Sequence, residues 1–219
     1  GLTRLGALIG CENYGKLDAA DATWVGGIAG KAETEISDCW AKSEIFGSSI
    51  TGGIVGEGKT VAGCRSLTAI TSTGEYIGAI AGKVGVLDDI SGNYFVAAKG
   101  LGGIDGISYT EKAEPLEYRM FTELENLPDS FRKMVITFVA DDGNITRHVD
   151  YGTDLTDIPE VPAKEGNSGE WENFTGTDIR ADRSVYPVYT PLQAAADSGE
   201  ELPLALAEGS FDLGNTLTV

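Results

Sequence analysis

A glycine-bracketed apolar block recurs along the first half of the chain and limits what that half can fold into. Val25–Gly30 reads V-G-G-I-A-G, Thr51–Gly56 reads T-G-G-I-V-G and Ile77–Gly82 reads I-G-A-I-A-G. Leu5–Gly10 (L-G-A-L-I-G) and Leu101–Gly106 (L-G-G-I-D-G) read as two further copies. The central residues Leu8, Ile28, Ile54, Ile80 and Ile104 are spaced by 20, 26, 26 and 24 residues. A near-fixed period in this range marks a stacked-repeat architecture, because one such unit cannot bury its apolar side chains alone. A second apolar segment follows the three middle blocks, at Ile36–Ala41, Val61–Ser66 and Ile90–Phe95, with polar turn residues between. Short strands between Gly-rich corners predict a parallel β-solenoid with one coil per repeat. The Ile28, Ile54, Ile80 and Ile104 column is expected to form an internal ladder that Leu8 begins.

The same block superficially invites a phosphate-binding reading, since Gly26-Gly27-x-x-Gly30 is a glycine-rich loop. That chemistry needs a helix N-terminus immediately afterwards. A polar turn and another strand-like segment follow instead, so nucleotide binding is set aside.

Strand alternation assigns faces in the second segment. Cys39, Cys64 and Asn93 are expected inside, and Trp40, Arg65 and Tyr94 outside. The outward aromatic–Arg–aromatic column has two readings. It is a flat face for a sugar or a partner chain, or it is a ladder held by stacking and cation–π contact and covered by another part of the chain. Cys39 and Cys64 occupy equivalent positions in successive repeats. Neighbouring strands run about 4.8 Å apart, so a disulfide is geometrically conceivable, although two small buried free thiols are the expectation.

Charge excludes some partners. The chain carries 34 acidic and 16 basic residues, for a net charge of −18. Nucleic acid and anionic membrane surfaces both demand Lys and Arg, so neither is an expected partner. No run of about 18 apolar residues is present to span a membrane. The chain begins on Gly and ends on an apolar T-L-T-V, and it reads as a piece of a longer protein.

The glycine blocks stop near residue 108, and residues 109–133 read as a helical connector. Phe121, Leu124 and Leu127 have helical spacing and Pro128 ends the run. Solenoids need caps over their open strand edges, so this helix is expected to cover the last coil near Ile104. From Met134 the pattern becomes strict alternation. Val135–Ala140 and Ile145–Val149 read as strands joined by an Asp141–Asn144 turn, and Ser184–Thr190 reads as one last strand. Residues 134–191 form the second module. Residues 192–219 read as an acidic linker with strand-forming segments.

Two resemblances follow from these residues. The apolar-G-G-I-x-G block, followed by a strand containing C-W-A at Cys39–Ala41 or C-R-S at Cys64–Ser66, resembles the GLUG repeat of bacterial surface and secreted proteins, including large adhesins and immunoglobulin A protease stalks. It implies an extracellular β-helical stalk or binding module. Residues 134–191 resemble the B-repeat of listerial internalins and related Gram-positive surface proteins. The matching elements are I-T-F-x-A-D at Ile136–Asp141, D-Y-G at Asp150–Gly152, P-x-V-P-A-K-x-G at Pro159–Gly166, Trp171, and I-R-A-D-x-x-V-x-x-V-Y at Ile179–Tyr189. Asn167 stands where an aromatic is frequent. This second resemblance implies a small β-grasp-like domain that serves as a surface spacer. Neither family supplies catalytic residues.

The remaining candidates point to structure more than to chemistry. Asp88-Asp89 is the best carboxylate pair for β-helix carbohydrate chemistry, but adjacent residues on a strand face opposite ways. Asp141/Asp142/Asn144 and Asp154/Asp157 suggest calcium, yet a hairpin turn does not gather six to eight oxygens. His148 alternates along a strand without a Ser or Cys signature. The expectation is therefore a mainly β protein, a Gly-rich solenoid joined by a short helical connector to a β-grasp-like module. It is expected at the cell surface or secreted, as a non-enzymatic adhesin-like stalk without cofactors whose partner is a host glycan or an extracellular protein. A carbohydrate-active β-helix enzyme and an accessory domain of a larger secreted protease are the alternatives.

Overall fold

The computed structural model describes residues 1–96 and 100–192. The expected strands of the acidic tail, residues 193–219, lie outside the described residues. The chain is mainly β, with a parallel β-solenoid of about four turns.

Each coil of the solenoid passes through four short sheets in turn. The first sheet stacks Ala29–Ser37, Val55–Ala62 and Ala81–Val84, with Leu2–Thr3 and Leu8–Ile9 at one end and Ile90–Ser91 beside the third coil. The second stacks Glu12–Asn13, Trp40–Ala41, Arg65–Ser66, Asn93–Val96 and Ala113–Leu116. The third stacks Leu17–Asp18, Glu44–Gly47 and Ala69–Ser72, and the fourth Trp24–Gly26, Ile50–Gly52 and Tyr76–Gly78. All these pairs are parallel. Parallel stacking lets each coil satisfy its backbone polar groups on the coils above and below it.

The isoleucine ladder forms in register over Ile28, Ile54 and Ile80, and Ile104 packs into the same core one position out of step. Ile54 and Ile80 are fully buried, Ile104 is nearly so and Ile28 is partly buried against the same core. The Ile28 and Ile54 amides donate to the Ile54 and Ile80 carbonyls at 2.8 and 2.9 Å. Glycine is required where the coil pinches. A Cβ at Gly27 would overlap the Gly53 carbonyl oxygen, and one at Gly53 would overlap the Ala79 carbonyl and the Ser66 hydroxyl.

The two outer copies of the block are out of phase with the ladder. Leu8 pairs with Ile36, in the second apolar segment, and does not begin the Ile28 column. Gly6 and Gly10 adopt left-handed φ values of 82° and 63°, so they are turn glycines of a different kind. The 20-residue spacing at this end reflects that offset. At the other end Ile104 bridges to Ala81, one residue past Ile80, and exchanges backbone hydrogen bonds with Ile107.

That local turn stands beside the ladder end that the helical connector is expected to cover. A short helix, Tyr118–Thr122, lies against Asn93–Val96 and Ala113–Leu116, the last two strands of the second sheet. It is shorter than the Phe121/Leu124/Leu127 spacing predicts, and Asn126 has already turned to a φ of 60°. Phe121 and Leu127 pack with Leu67, Val96 and Phe131 in a second core.

The second module pairs Met134–Phe138 antiparallel with Ile145–Val149, as the hairpin turn predicts. The final strand divides at Tyr186. Arg183–Val185 runs parallel to Met134–Phe138, whereas Pro187–Pro191 pairs with Asn167–Trp171 in a separate ribbon. Phe138 anchors the interior, 5.0 Å from the Trp171 ring and 5.4 Å from the Phe174 ring. The Trp171 indole donates to the Pro159 carbonyl at 2.7 Å. Met134, Ile136, Phe138 and Val185 belong to the same core as Leu67 and Val96 of the solenoid. One hydrophobic core thus spans the junction.

Alternation holds inside the second sheet. Cys39, Cys64 and Asn93 are fully buried, and all three cysteines are free. Asn93 accepts from the Cys64 amide at 2.9 Å and donates to the Val61 and Lys112 carbonyls at 2.8 Å, a cross-coil clasp that a thiol cannot make. Hydrogen bonding to the Cys39 sulfur and burial push the Cys64 thiol far up.

Two outcomes are expected. Ile54→Asp places an unpaired charge in the ladder, and its cost is about 4 kcal/mol or more, read as a lowered midpoint in urea unfolding. Iodoacetamide is expected to modify only the partly exposed Cys11 in the native protein, and all three cysteines once it is unfolded, as read by intact mass.

Candidate functional site: the outward face of the second sheet and the junction it forms

Two outward columns run along the second sheet. The first contains Trp40, Arg65 and Tyr94, held in register by their backbone pairing, with Glu12 at one end and Glu114 at the other. The structure therefore brings the three sequence-predicted residues together. The Arg65 guanidinium lies 5.6 Å from the Trp40 ring centre and 4.8 Å from that of Tyr94. Its Nη1 donates to the carbonyls of Cys64 and Gly92 at 3.0 and 2.8 Å. Phe131 of the connector closes over part of this face. Its ring meets Trp40 edge-on at 5.8 Å and Tyr14 at 5.6 Å. Most of the recognition capacity of Trp40 and Arg65 is thus directed at the chain itself, in the manner of the stacked-ladder reading.

The second column was not anticipated. Two residues beyond Trp40, Arg65 and Tyr94 the outward positions are Lys42, Leu67 and Val96. All three are buried, at 0%, 1% and 4% exposure. Leu67 and Val96 supply the apolar floor on which the second module rests. Full burial of side chains of this size stabilises by about 1.5–3 kcal/mol each. A legible signal existed in the sequence, since outward register positions carrying Leu and Val mark a stripe that another surface covers.

Lys42 sits at the centre of the junction. Its Nζ donates to the Ser130 carbonyl at 2.6 Å and the Lys133 carbonyl at 2.7 Å, and it meets the Asp182 carboxylate at 2.7 Å. Three acceptors thus face the three protons of an ammonium. Burial pulls the Lys42 pKa below the ordinary lysine value, and the Asp182 hydrogen bond and charge oppose that shift. The same Asp182 also accepts the Val135 amide at 2.8 Å. One solenoid side chain therefore ties residues 130–133 to Asp182, and Asp182 in turn holds Val135.

Beside this junction the two modules enclose an open cleft of about 870 Å³. The solenoid side contributes Tyr14, Lys16, Glu44 and Phe46, and the other side Thr137, Glu172, Arg183 and Tyr186. Lys16 lies 3.7 Å from the Glu44 carboxylate and 4.6 Å from the Phe46 ring centre.

The other sequence candidates lie apart from this region. Asp88 and Asp89 are exposed in a short 3-10 turn, and Asp88 pairs with Lys112 at 3.3 Å. His148 is exposed on its strand opposite Val135. Asp154 accepts the Asp178 amide and Asp157 pairs with Arg147. Among the described residues no group of three or more His, Cys, Asp or Glu is placed to hold a metal ion. No helix among them is long and apolar enough to cross a membrane.

Lys42→Met removes the ammonium but keeps the apolar stem. It leaves Asp182 with only the Val135 amide and takes the ammonium from two carbonyls, and breaking a buried pair costs about 3–5 kcal/mol. The lower end is expected because Asp182 keeps 25% side-chain exposure. Urea unfolding is expected to show the loss, together with faster protease cleavage in residues 109–133.

Comparison with known proteins finds no matching family model, no matching curated protein and no matching solved structure.

Proposed function

We propose that this chain is part of a secreted or surface-anchored bacterial protein and acts as a non-enzymatic, adhesin-like scaffold. A GLUG-type solenoid forms the stalk, a short helical connector follows, and a B-repeat-like β-grasp module is carried at its side. The observation that carries this reading is the Lys42 junction. A buried ammonium with three acceptors, set between apolar contacts, holds the module in one orientation on the solenoid. Fixed presentation of one domain by another is what a display stalk requires. The repeat motif and the B-repeat-like residues support the extracellular placement, and the net charge of −18 suits a solvated surface protein that repels nucleic acid. On this reading Trp40, Arg65 and Tyr94 form an outward face of the stalk, and the ligand is a host glycan or an extracellular protein.

Shaving intact producing cells with protease tests the placement. The chain is expected to be cleaved from the cells or recovered in the medium, while a cytosolic marker stays intact. A chain that remains protected until the cells are lysed overturns the reading.

A further inference from the structure

We infer that the cleft between the solenoid and the second module binds a neutral, hydroxyl-rich saccharide chain. The inference rests on the scaffold reading above and names the ligand class and the site. Ligand sites favour the seams between domains and have volumes of about 300–1,000 Å³. This cleft meets both conditions, at about 870 Å³ between two modules.

Its lining selects the ligand class. Aromatic rings stand on both walls, Tyr14 and Phe46 on one and Tyr186 on the other. Tyr14 and Tyr186 keep 37% and 49% of their surface exposed. Such rings offer flat apolar faces bounded by polar groups, which suits the C–H face of a sugar ring. Glu172 also lines the cleft, and a carboxylate there accepts hydrogen bonds from sugar hydroxyls.

The alternatives fit less well. The cations are already engaged, Lys16 by Glu44 and the Phe46 ring, and Arg183 by the Asn173 carbonyl and the Phe174 ring. With Glu44, Glu172 and Asp182 also present, carboxylates outnumber cations and disfavour an anionic ligand. A greasy ligand would need a dry, closed pocket, whereas this cleft is open and mixed in polarity. The walls are also fixed in advance, because Asp182 binds Lys42 from one module and the Val135 amide of the other. Preorganisation of this kind reduces the ordering cost of binding.

The test is calorimetric titration of the whole chain with four neutral probes, chitotetraose, cellotetraose, mannotetraose and lacto-N-tetraose, and one anionic probe, sialyllactose. At least one neutral probe is expected to saturate. Tyr186→Ala is expected to weaken it at least tenfold and Glu172→Gln about threefold, with unchanged near-ultraviolet circular dichroism. Trp24→Ala, outside the cleft, is expected to leave affinity unchanged. The inference is overturned if no neutral probe saturates, if sialyllactose alone does, or if both cleft variants bind as well as the parent. In the last case glycan binding survives and only its place is wrong. Protease shaving of cells reads the scaffold proposal independently of all these outcomes.

Discussion

Parallel backbone pairing between successive coils is the constraint from which the other features follow. Once Trp40 is in register with Arg65, and Arg65 with Tyr94, every neighbouring position is also stacked. Inside, this produces the isoleucine ladder and the Cys39–Cys64–Asn93 column. Outside, it produces an aromatic–guanidinium column and, two residues on, the Lys42–Leu67–Val96 stripe. A repeat too thin to hold a core of its own therefore presents long, uniform columns, and columns are surfaces that other elements can match.

The second module shows how such a column is used. Its core around Phe138 and Met134 is continuous with Leu67 and Val96 of the solenoid. The junction combines that non-directional burial with the directional hydrogen bonds of Lys42. Apolar contact supplies adhesion between the two parts, and the three acceptors around one ammonium fix the angle at which they meet. The cleft beside the junction owes its shape to that angle.

Much of the solenoid was legible in the chain because glycine spacing and strand alternation are local properties. The inward column at Cys39, Cys64 and Asn93, the outward one at Trp40, Arg65 and Tyr94, and the hairpin around Asp141–Asn144 all follow from them. Phase at the ends was harder to read. The block at Leu5–Gly10 looks like a repeat copy, yet its glycines serve left-handed turns and Leu8 joins the Ile36 column. The helix near Phe121 is also shorter than its spacing predicts, because the chain turns at Asn126. The junction and the cleft depend on contacts between residues such as Lys42 and Asp182, 140 positions apart in sequence. No periodicity links such residues. Only the outward leucine and valine hinted at a covered face.

The contact between Lys42 and Asp182 also has a mechanical meaning. It ties an early coil to the segment just before Arg183–Val185, so it brackets most of the solenoid and the first strands of the second module. Tension entering from the two ends reaches these points before it reaches the coils between them. The first coil can peel away one strand at a time, but the bracketed part bears load only after the staple parts. Several short hydrogen bonds and an apolar patch loaded together resist better than strand pairs opened singly. A chain closed in this way yields in two stages, first at its edge and then, at higher force, through its middle.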